Sequence, residues 1–178
     1  DELLEKSTPE APMWNIEKIR QGLKSNWNYI DGVMIKAVLQ MYDVTKDEKY
    51  LKFADNFIDY RVHEDGTIDV YNIGEKNIDN VNAGKTLFEL YDLTGKEKYR
   101  KAIDLVYSQI EIMPRCNNEA RSFWHKDIYP NQVWLDGMYM GQPFYLEYET
   151  KFNNRKNYPD IFAQFKYCLL YTSPSPRD

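Results

Sequence analysis

The sequence repeats itself with a period of 49 residues. "MYDVTKDEKYLKFAD", Met41–Asp55, aligns without a gap with "LYDLTGKEKYRKAID", Leu90–Asp104. A weaker third copy places Asp136-Gly137 over Asp31-Gly32. Repeats of this kind are single supersecondary units that stack and bury one another's apolar faces, so the fold is built from copies of one unit.

Each copy predicts two helices joined by a short turn. An apolar pattern at helical spacing over most of the surface predicts a buried inner helix in the first copy, at Val33, Ile35, Ala37, Leu39, Met41 and Tyr42. A narrower stripe predicts an outer helix at Tyr50, Phe53, Ala54, Phe57 and Ile58. Thr45 or Asp47 is the expected N-cap of that outer helix. Strand signals are scarce and predict only a short hairpin at residues 67–73.

The period favours a closed ring of helical hairpins. Open solenoids with two helices per repeat have periods of roughly 34–47 residues, and the inner helices here are apolar almost all round. We therefore predict an all-α fold, part of an (α/α)6 barrel. Three hairpins are visible, and six at this period need ~300 residues. Residues 1–167 are thus expected to form the N-terminal half of the domain.

The last eleven residues, 168–178, differ in character from the rest of the chain. "CLLYTSPSPRD", translated back into codons, resembles a sequencing adapter read in frame. We interpret this segment as an adapter tail outside the fold, with a natural Ser/Pro tail as the alternative.

The amino-acid composition limits the kinds of binding partner that we expect for this protein. The chain of 178 residues is 43% hydrophobic and 15% aromatic, which is sufficient for a packed core. Its formal net charge is −5 and it has no basic patch, so no nucleic-acid partner is expected. No apolar run approaches the ~18–20 residues of a membrane span, so no membrane partner is expected. The two histidines lack the Cys-His spacing that is typical of zinc sites, so no zinc site is expected.

Three acids fall at the starts of predicted inner helices: Asp31, Asp136 and, one residue off register, Asp79. We interpret Asp31 as a helix cap or first-turn acid. Asp136 lies among Trp134, Leu135, Met138, Tyr139 and Phe144. Loss of solvation there would raise the pKa of its carboxyl, and a nearby Asp79 carboxylate would raise it further. The aromatic rings of Trp134 and Tyr139 are candidates for stacking on sugars or for the core.

Three segments together resemble a known family. "WNYIDGVMIKAVL" (27–39), "NIDNVNAGKTLFELYDLTGKEKY" (77–99) and "SFWHKDIYPNQVWLDGMYMGQPFYLEY" (122–148) are similar to the unsaturated rhamnogalacturonyl hydrolases of glycoside hydrolase family 105. That family is related to the unsaturated glucuronyl hydrolases of family 88. The resemblance implies an (α/α)6 barrel and an enzyme without a cofactor. The implied substrates are oligosaccharides left by pectin lyases, which carry a 4,5-unsaturated galacturonate.

The resemblance also implies roles for individual residues. Asp136 of the WLDG motif would protonate C4 of the vinyl ether while water adds at C5, and the hemiketal that forms would open to release the next sugar. Asp79 of the IDN motif would be a second acid in the pocket, and His125 of the WHK motif would bind substrate. Tyr29 and Trp134 are further candidates for substrate binding. No metal ligand is implied.

Several alternatives stay open at this point. The substrate would instead be a glycosaminoglycan fragment for an unsaturated glucuronyl hydrolase. An inverting glycosidase on the same barrel and a non-catalytic helical-repeat binding module are further possibilities. We expect a bacterial cytoplasmic protein, or a periplasmic one whose signal lies outside this chain, and the sequence leaves the oligomeric state undetermined. The chain as written is expected to be inactive, because pocket residues of the second half are lacking. It is also expected to be poorly stable, because three hairpins of a six-hairpin ring leave apolar helix faces without neighbours.

Overall fold

The structure, a computed structural model, describes residues 2–169, and the part of the predicted tail beyond Leu169 lies outside it. The described α-helices are α1 (Glu2–Lys6), α2 (Ile16–Arg20), α3 (Tyr29–Thr45), α4 (Glu48–Arg61), α5 (Lys85–Thr94), α6 (Glu97–Ile112), α7 (Leu135–Phe152) and α8 (Tyr158–Tyr167). Short 3-10 helices lie at Met13–Asn15, Ile73–Glu75 and Ile78–Gly84. Within the described residues β-pairing is limited to isolated bridges. The predicted all-α class is confirmed.

None of the described helices is both long enough and apolar enough to cross a membrane.

The backbone contacts divide the chain into two compact units, which we describe separately. Unit 1 contains the residues up to Tyr71 together with Ala83–Asp104. Unit 2 contains Asn72–Asn82 and the described residues from Leu105 onwards.

In unit 1, local sequence signals define where α3 and α4 begin. The Asn28 side chain caps α3 by accepting hydrogen bonds from the backbone N–H groups of Ile30 and Asp31, at 2.8 and 3.2 Å. Asp47 caps α4 by accepting from the N–H of Lys49 at 3.1 Å. Of the two N-caps predicted for the outer helix, Asp47 is therefore the one that forms. These caps satisfy N–H groups that the first helical turn leaves without intrahelical partners.

Helix α3 packs against both α4 and α5, and it buries Ile35, Val38 and Leu39. The prediction that apolar groups are buried all round this helix is wrong for Val33 and Met41, which are exposed. A helix that contacts two neighbours within its unit covers only the faces turned toward them. The pattern therefore predicted the helix correctly and overestimated its burial.

A polar network secures the N-terminal segment of unit 1. The buried Arg61 guanidinium donates to the carbonyl oxygens of Ser25 and Pro9, both at 2.9 Å. The buried Asp31 carboxylate accepts from Trp14 Nε1 at 2.7 Å and from Asn15 Nδ2 at 3.2 Å. Asp31 is a first-turn acid of α3, as one of its two interpretations predicted, but Asn28 and not Asp31 is the cap, and the Asp31 side chain accepts from the preceding segment.

The hairpin predicted at residues 67–73 does not form. Val62 and Ile68 make a single antiparallel bridge, and the His63 and Gly66 turn lies between them. Val70 then adopts a left-handed φ of 58°, and a 3-10 helix starts at Ile73. A β-branched residue in that conformation ends strand geometry at once, so the ladder stops after one pair.

In unit 2, α7 and α8 pack together and are tied at their turn by the buried Glu149. Glu149 Oε1 accepts from Tyr107, Asn153 and the Asn157 side chain, each at 2.9 Å. Its Oε2 accepts from the Asn157 backbone N–H at 2.9 Å. Burial opposes ionisation of Glu149, but these donors outweigh it and hold the pKa of the carboxyl below its ordinary value. The turn is therefore fixed by one fully bonded carboxylate.

Candidate active site

Two backbone segments of unit 2 meet to form the floor of the candidate site. Asn77 and Lys126 form an antiparallel bridge, and the Ile78 N–H donates to the His125 carbonyl oxygen at 3.1 Å. The Asp79 N–H then donates to Asn77 Oδ1 at 3.1 Å, which turns the chain into the 3-10 helix that leads to α5. This pairing places Asp79 beside His125.

The start of α7 supplies the third member of the site. The His125 N–H donates to the Gln132 carbonyl oxygen at 2.8 Å, which keeps the loop close to the residues that precede the helix. Trp134 is the N-cap residue of α7, and Asp136 is the second residue of the helix. Gly137 follows, and a Cβ added there would lie only 3.0 Å from His125 Nδ1. Glycine therefore permits the imidazole to lie against the first turn of α7.

The imidazole of His125 lies between two carboxylates. Its Nε2 is 3.4 Å from Asp79 Oδ1, and its Nδ1 is 4.0 Å from Asp136 Oδ1. One ligand-type atom from each of the three residues falls within 4.8 Å of the others. The structure thus brings together three residues that lie up to 57 positions apart in the sequence, two of them acids that the sequence places at helix starts.

Asp79 is an ionised carboxylate whose charge is stabilised by neighbouring side chains. Its Oδ2 is 2.8 Å from Lys126 Nζ. Burial opposes ionisation, but the His125 and Lys126 side chains outweigh it and hold the pKa of Asp79 below its ordinary value. We expected the Asp79 charge to raise the pKa of Asp136 by repulsion. That expectation stays a prediction; in the structure the ammonium of Lys126 faces the Asp79 charge.

Asp136 is exposed, and its predicted aromatic burial is wrong. Its side chain is 55% exposed, and Trp134 and Tyr139 are 40% and 54% exposed. The buried face of α7 instead carries Met138, Gly141, Gln142, Phe144, Tyr145 and Glu149. Residues 136 and 139 share the opposite face, because side chains three apart on a helix point the same way. Neighbours in sequence were therefore not neighbours in space.

Trp134 contacts the imidazole rather than the core. Its ring stacks on His125 with centroids 4.2 Å apart and an interplanar angle of 12°. It also stacks on Tyr129 at 5.2 Å and 17°, and its Nε1 donates to Gln132 Oε1 at 3.0 Å. These contacts fix the plane of the His125 ring.

Tyr29 and Lys126 complete the comparison with the sequence. Tyr29 is the first residue of α3 in unit 1 and is 43% exposed, and its predicted role in substrate binding stays a prediction. Lys126 was not singled out from the sequence, although it contacts Asp79. Its position directly after His125 in the WHK motif is the signal that would have identified it.

The close approach of Asp79, His125 and Asp136 raises the question of a cation. The two carboxylates face different nitrogens of one imidazole, and Lys126 already compensates Asp79. A single ion can take only one nitrogen of a ring, so this donor set is poorly arranged for a shared metal. The arrangement is better suited to holding and moving a proton.

Comparisons with known proteins identify a family and a similar solved structure. The model of the family described as Glycosyl Hydrolase Family 88 matches residues 7–174. Among solved structures, the chain is 44% identical to one described as a structural analysis of a C. acetobutylicum ATCC 824 glycoside hydrolase from family 105, with a TM-score of 0.76 over 84% of this chain. The chain spans 41% of the length of that enzyme chain. The predicted fold, part of an (α/α)6 barrel, agrees with this similarity.

Proposed function

Because the chain belongs to glycosyl hydrolase family 88, we propose that it forms the N-terminal half of an enzyme that hydrolyses 4,5-unsaturated uronyl oligosaccharides. The proposed substrate is an unsaturated galacturonyl-rhamnose oligosaccharide from pectin. The 44% identity with a family 105 glycoside hydrolase supports this choice of family branch. In the experiments below, "the complete enzyme" means the full-length protein that the gene encodes.

The observation that carries the proposal is the placement of Asp79 and Asp136 beside the same imidazole, 3.4 Å from Nε2 and 4.0 Å from Nδ1 of His125, with oxygen atoms of the two carboxyls within 4.8 Å of each other. Asp136 is accessible, so a sugar can approach its carboxyl directly. Asp79 is held ionised by Lys126 and His125, which leaves Asp136 as the member of the pair that donates the proton. Two carboxylates in different environments are the usual basis for separate acid and charge-bearing roles.

The proposed reaction is a hydration that needs no cofactor. The protonated Asp136 carboxyl gives its proton to C4 of the vinyl ether, and a water oxygen bonds to C5. The proton released by that water returns to Asp136, which restores the acid. The C5 hemiketal then opens and the next sugar, rhamnose, leaves as the free alcohol. Positioned general acids of this kind contribute about 10²–10⁴-fold in rate.

A second candidate is an unsaturated glucuronyl hydrolase that acts on glycosaminoglycan fragments. The family 88 model match favours it, because the resemblance links family 88 to that substrate class. An inverting displacement fits less well, since carboxyl groups in such enzymes are about 6.5–9.5 Å apart. Here oxygen atoms of Asp79 and Asp136 are within 4.8 Å.

A substrate panel tests the proposal. The complete enzyme is incubated with an unsaturated galacturonyl-rhamnose disaccharide, an unsaturated glucuronyl disaccharide and the saturated analogue of the first. We expect the ultraviolet absorbance of the conjugated double bond to disappear fastest for the first, with release of rhamnose and no reaction in Asp136→Asn. Faster loss with the glucuronyl disaccharide would select the second candidate. Cleavage of the saturated analogue would indicate displacement chemistry, and binding without turnover would indicate a binding module.

A further inference from the structure

We propose that His125 is a positioning residue for the catalytic acid: its Nε2–H faces Asp79, and its bare Nδ1 accepts the proton-bearing oxygen of Asp136. This inference rests on the proposed function of Asp136. It assigns to His125 a task beyond substrate binding, namely to hold the Asp136 carboxyl by a hydrogen bond in the orientation from which it gives its proton.

The surroundings of Asp79 determine which ring nitrogen carries the hydrogen. The ionised Asp79 carboxylate is an acceptor only, and Lys126 occupies its Oδ2. Its Oδ1 is buried and has no hydrogen-bond partner among the described residues, while His125 Nε2 lies 3.4 Å away. Buried carboxylate oxygens in proteins are generally paired with donors. We therefore place the hydrogen on Nε2.

The other nitrogen is then an acceptor directed at Asp136. In a neutral imidazole one nitrogen donates and the other accepts, so Nδ1 carries the lone pair. Nδ1 is buried, finds no hydrogen-bond partner within residues 2–169, and is 4.0 Å from Asp136 Oδ1. Asp136 is exposed and free to rotate toward it. Catalytic hydrogen bonds are often long without substrate and shorten when it binds.

The ring is held in this orientation from three sides. Trp134 stacks on its face at 4.2 Å, and the His125 backbone is bonded at both its N–H and its carbonyl oxygen. Gly137 allows the Nδ1 edge to approach α7, where any Cβ would be 3.0 Å away. The imidazole cannot easily turn over to exchange its two nitrogens, so the order Asp79, Nε2–H, Nδ1, Asp136 is fixed.

This order makes Asp136 and His125 share one proton. Before reaction the proton lies between Asp136 Oδ1 and Nδ1. When it bonds to C4, Asp136 is left as a carboxylate, and the proton released by the attacking water restores the shared state. No oxidant or second proton is required.

Nuclear magnetic resonance tests the tautomer without any substrate. The chain has only two histidines, so His63→Gln leaves His125 as the single ¹⁵N-labelled imidazole, and His63 is an exposed residue of unit 1. Long-range ¹H–¹⁵N correlation spectra of the complete enzyme distinguish the two neutral tautomers. We expect the Nε2–H pattern for His125, with a change in the Nδ1 shift in Asp136→Asn. The Nδ1–H pattern would overturn the proposal.

The pH profile of kcat/KM gives the second test. His125→Asn keeps an amide near the position of Nδ1, and His125→Gln keeps one near Nε2. The basic limb, which reports loss of the acid's proton, is expected to move to lower pH by about one unit in His125→Gln and less in His125→Asn. The control His63→Gln should match the wild type. An equal loss of rate at every pH in both variants would show a structural role only.

These results separate the two proposals. If the complete enzyme leaves every unsaturated uronide intact, the proposed function fails, and the spectra still report the tautomer. If it is active but His125 carries its hydrogen on Nδ1, or the basic limb does not move, the inference about His125 fails and the proposed function stands.

Discussion

The starts of α3 and α7 occupy equivalent positions in the repeat and carry the same Asp-Gly pair, yet their acids have opposite surroundings. Asp31 is 1% exposed, and Trp14 and Asn15 donate to it. Asp136 is exposed, and its Oδ1 lies 4.0 Å from Nδ1 of His125. The helical position is shared, so it cannot explain the difference.

The difference comes from the segments that precede each helix. Before α3, residues 7–28 fold over the helix start and are fastened by Arg61, so Asp31 becomes a buried acceptor. Burial raises its pKa to about 6 against the opposing effects of Trp14 and Arg61. Before α7, the loop brings His125 and Trp134 alongside the helix and leaves Asp136 open. One repeat position thus serves structure in unit 1 and is available for chemistry in unit 2.

The largest expected effect is the difference in enzyme activity between variants of Asp136 and of Asp31. In the complete enzyme, Asp136→Asn should lower kcat/KM about 10²–10⁴-fold, because the amide has no proton to give to C4. Asp31→Asn should leave turnover near the wild-type value, since Asp31 is enclosed by its own donors. Steady-state assays on variants whose melting shows them to be folded measure both. Equal losses in the two variants would contradict the division of roles.

The next largest effect is the pH dependence of stability that Asp31 contributes. Its pKa of about 6 lies above the 3.8 of an ordinary Asp, so the folded state binds the proton more tightly. Stability from this group is therefore present at low pH and is lost as pH rises from about 4 to about 6. The unfolding free energy of Asp31→Asn, taken relative to that of the wild type, should therefore rise with pH over that window. The upper bound of this rise is about 3 kcal/mol.

Urea unfolding of wild type and Asp31→Asn between pH 4 and 7.5 measures this difference. Asn keeps an acceptor oxygen for the Trp14 N–H, so the comparison mainly removes the charge. A difference in unfolding free energy that stays constant across the pH range would show that Asp31 is not the group responsible.

Much of the fold could be predicted because its signals are local and repeated. The pattern around 33–42 identified α3, and Asp47, which caps α4, was one of the two caps predicted for that helix. The hairpin predicted at 67–73 was wrong, because a β-branched residue such as Val70 gives no sequence signal of a left-handed backbone. Burial was overestimated because periodicity shows which residues share a face and not which faces are covered.

The site was predictable in its members and not in its geometry. Motif resemblance identified Asp79, His125 and Asp136, while the contact of His125 with both acids depends on the pairing of segments near 77 and 126. That pairing has no periodic signal in the sequence. The exposure of Asp136 was missed because Met138 and Phe144 lie on the buried face of α7, while Tyr139, which shares the face of Asp136, is itself exposed.

The smallest expected effect tests whether α7 needs a glycine after its acid. Gly137→Ala places a Cβ 3.0 Å from His125 Nδ1, so the ring must move by a few tenths of an ångström. We expect kcat/KM to fall about tenfold, because catalysis is sensitive to such misplacement. Stability should hold or rise, since Ala favours a helix over Gly by about 1 kcal/mol.

Gly141→Ala, one turn further along α7, is the matched control. Its added Cβ would lie 2.6 Å from Ile78 Cδ1 and would touch the core instead of the imidazole. We expect it to cost about 1–3 kcal/mol of stability by overpacking. Thermal melting and kcat/KM measured on both variants decide the matter. If Gly137→Ala lost stability like Gly141→Ala and kept its turnover, the glycine after Asp136 would serve packing alone, and the fixed orientation of His125 would lose one of its three supports.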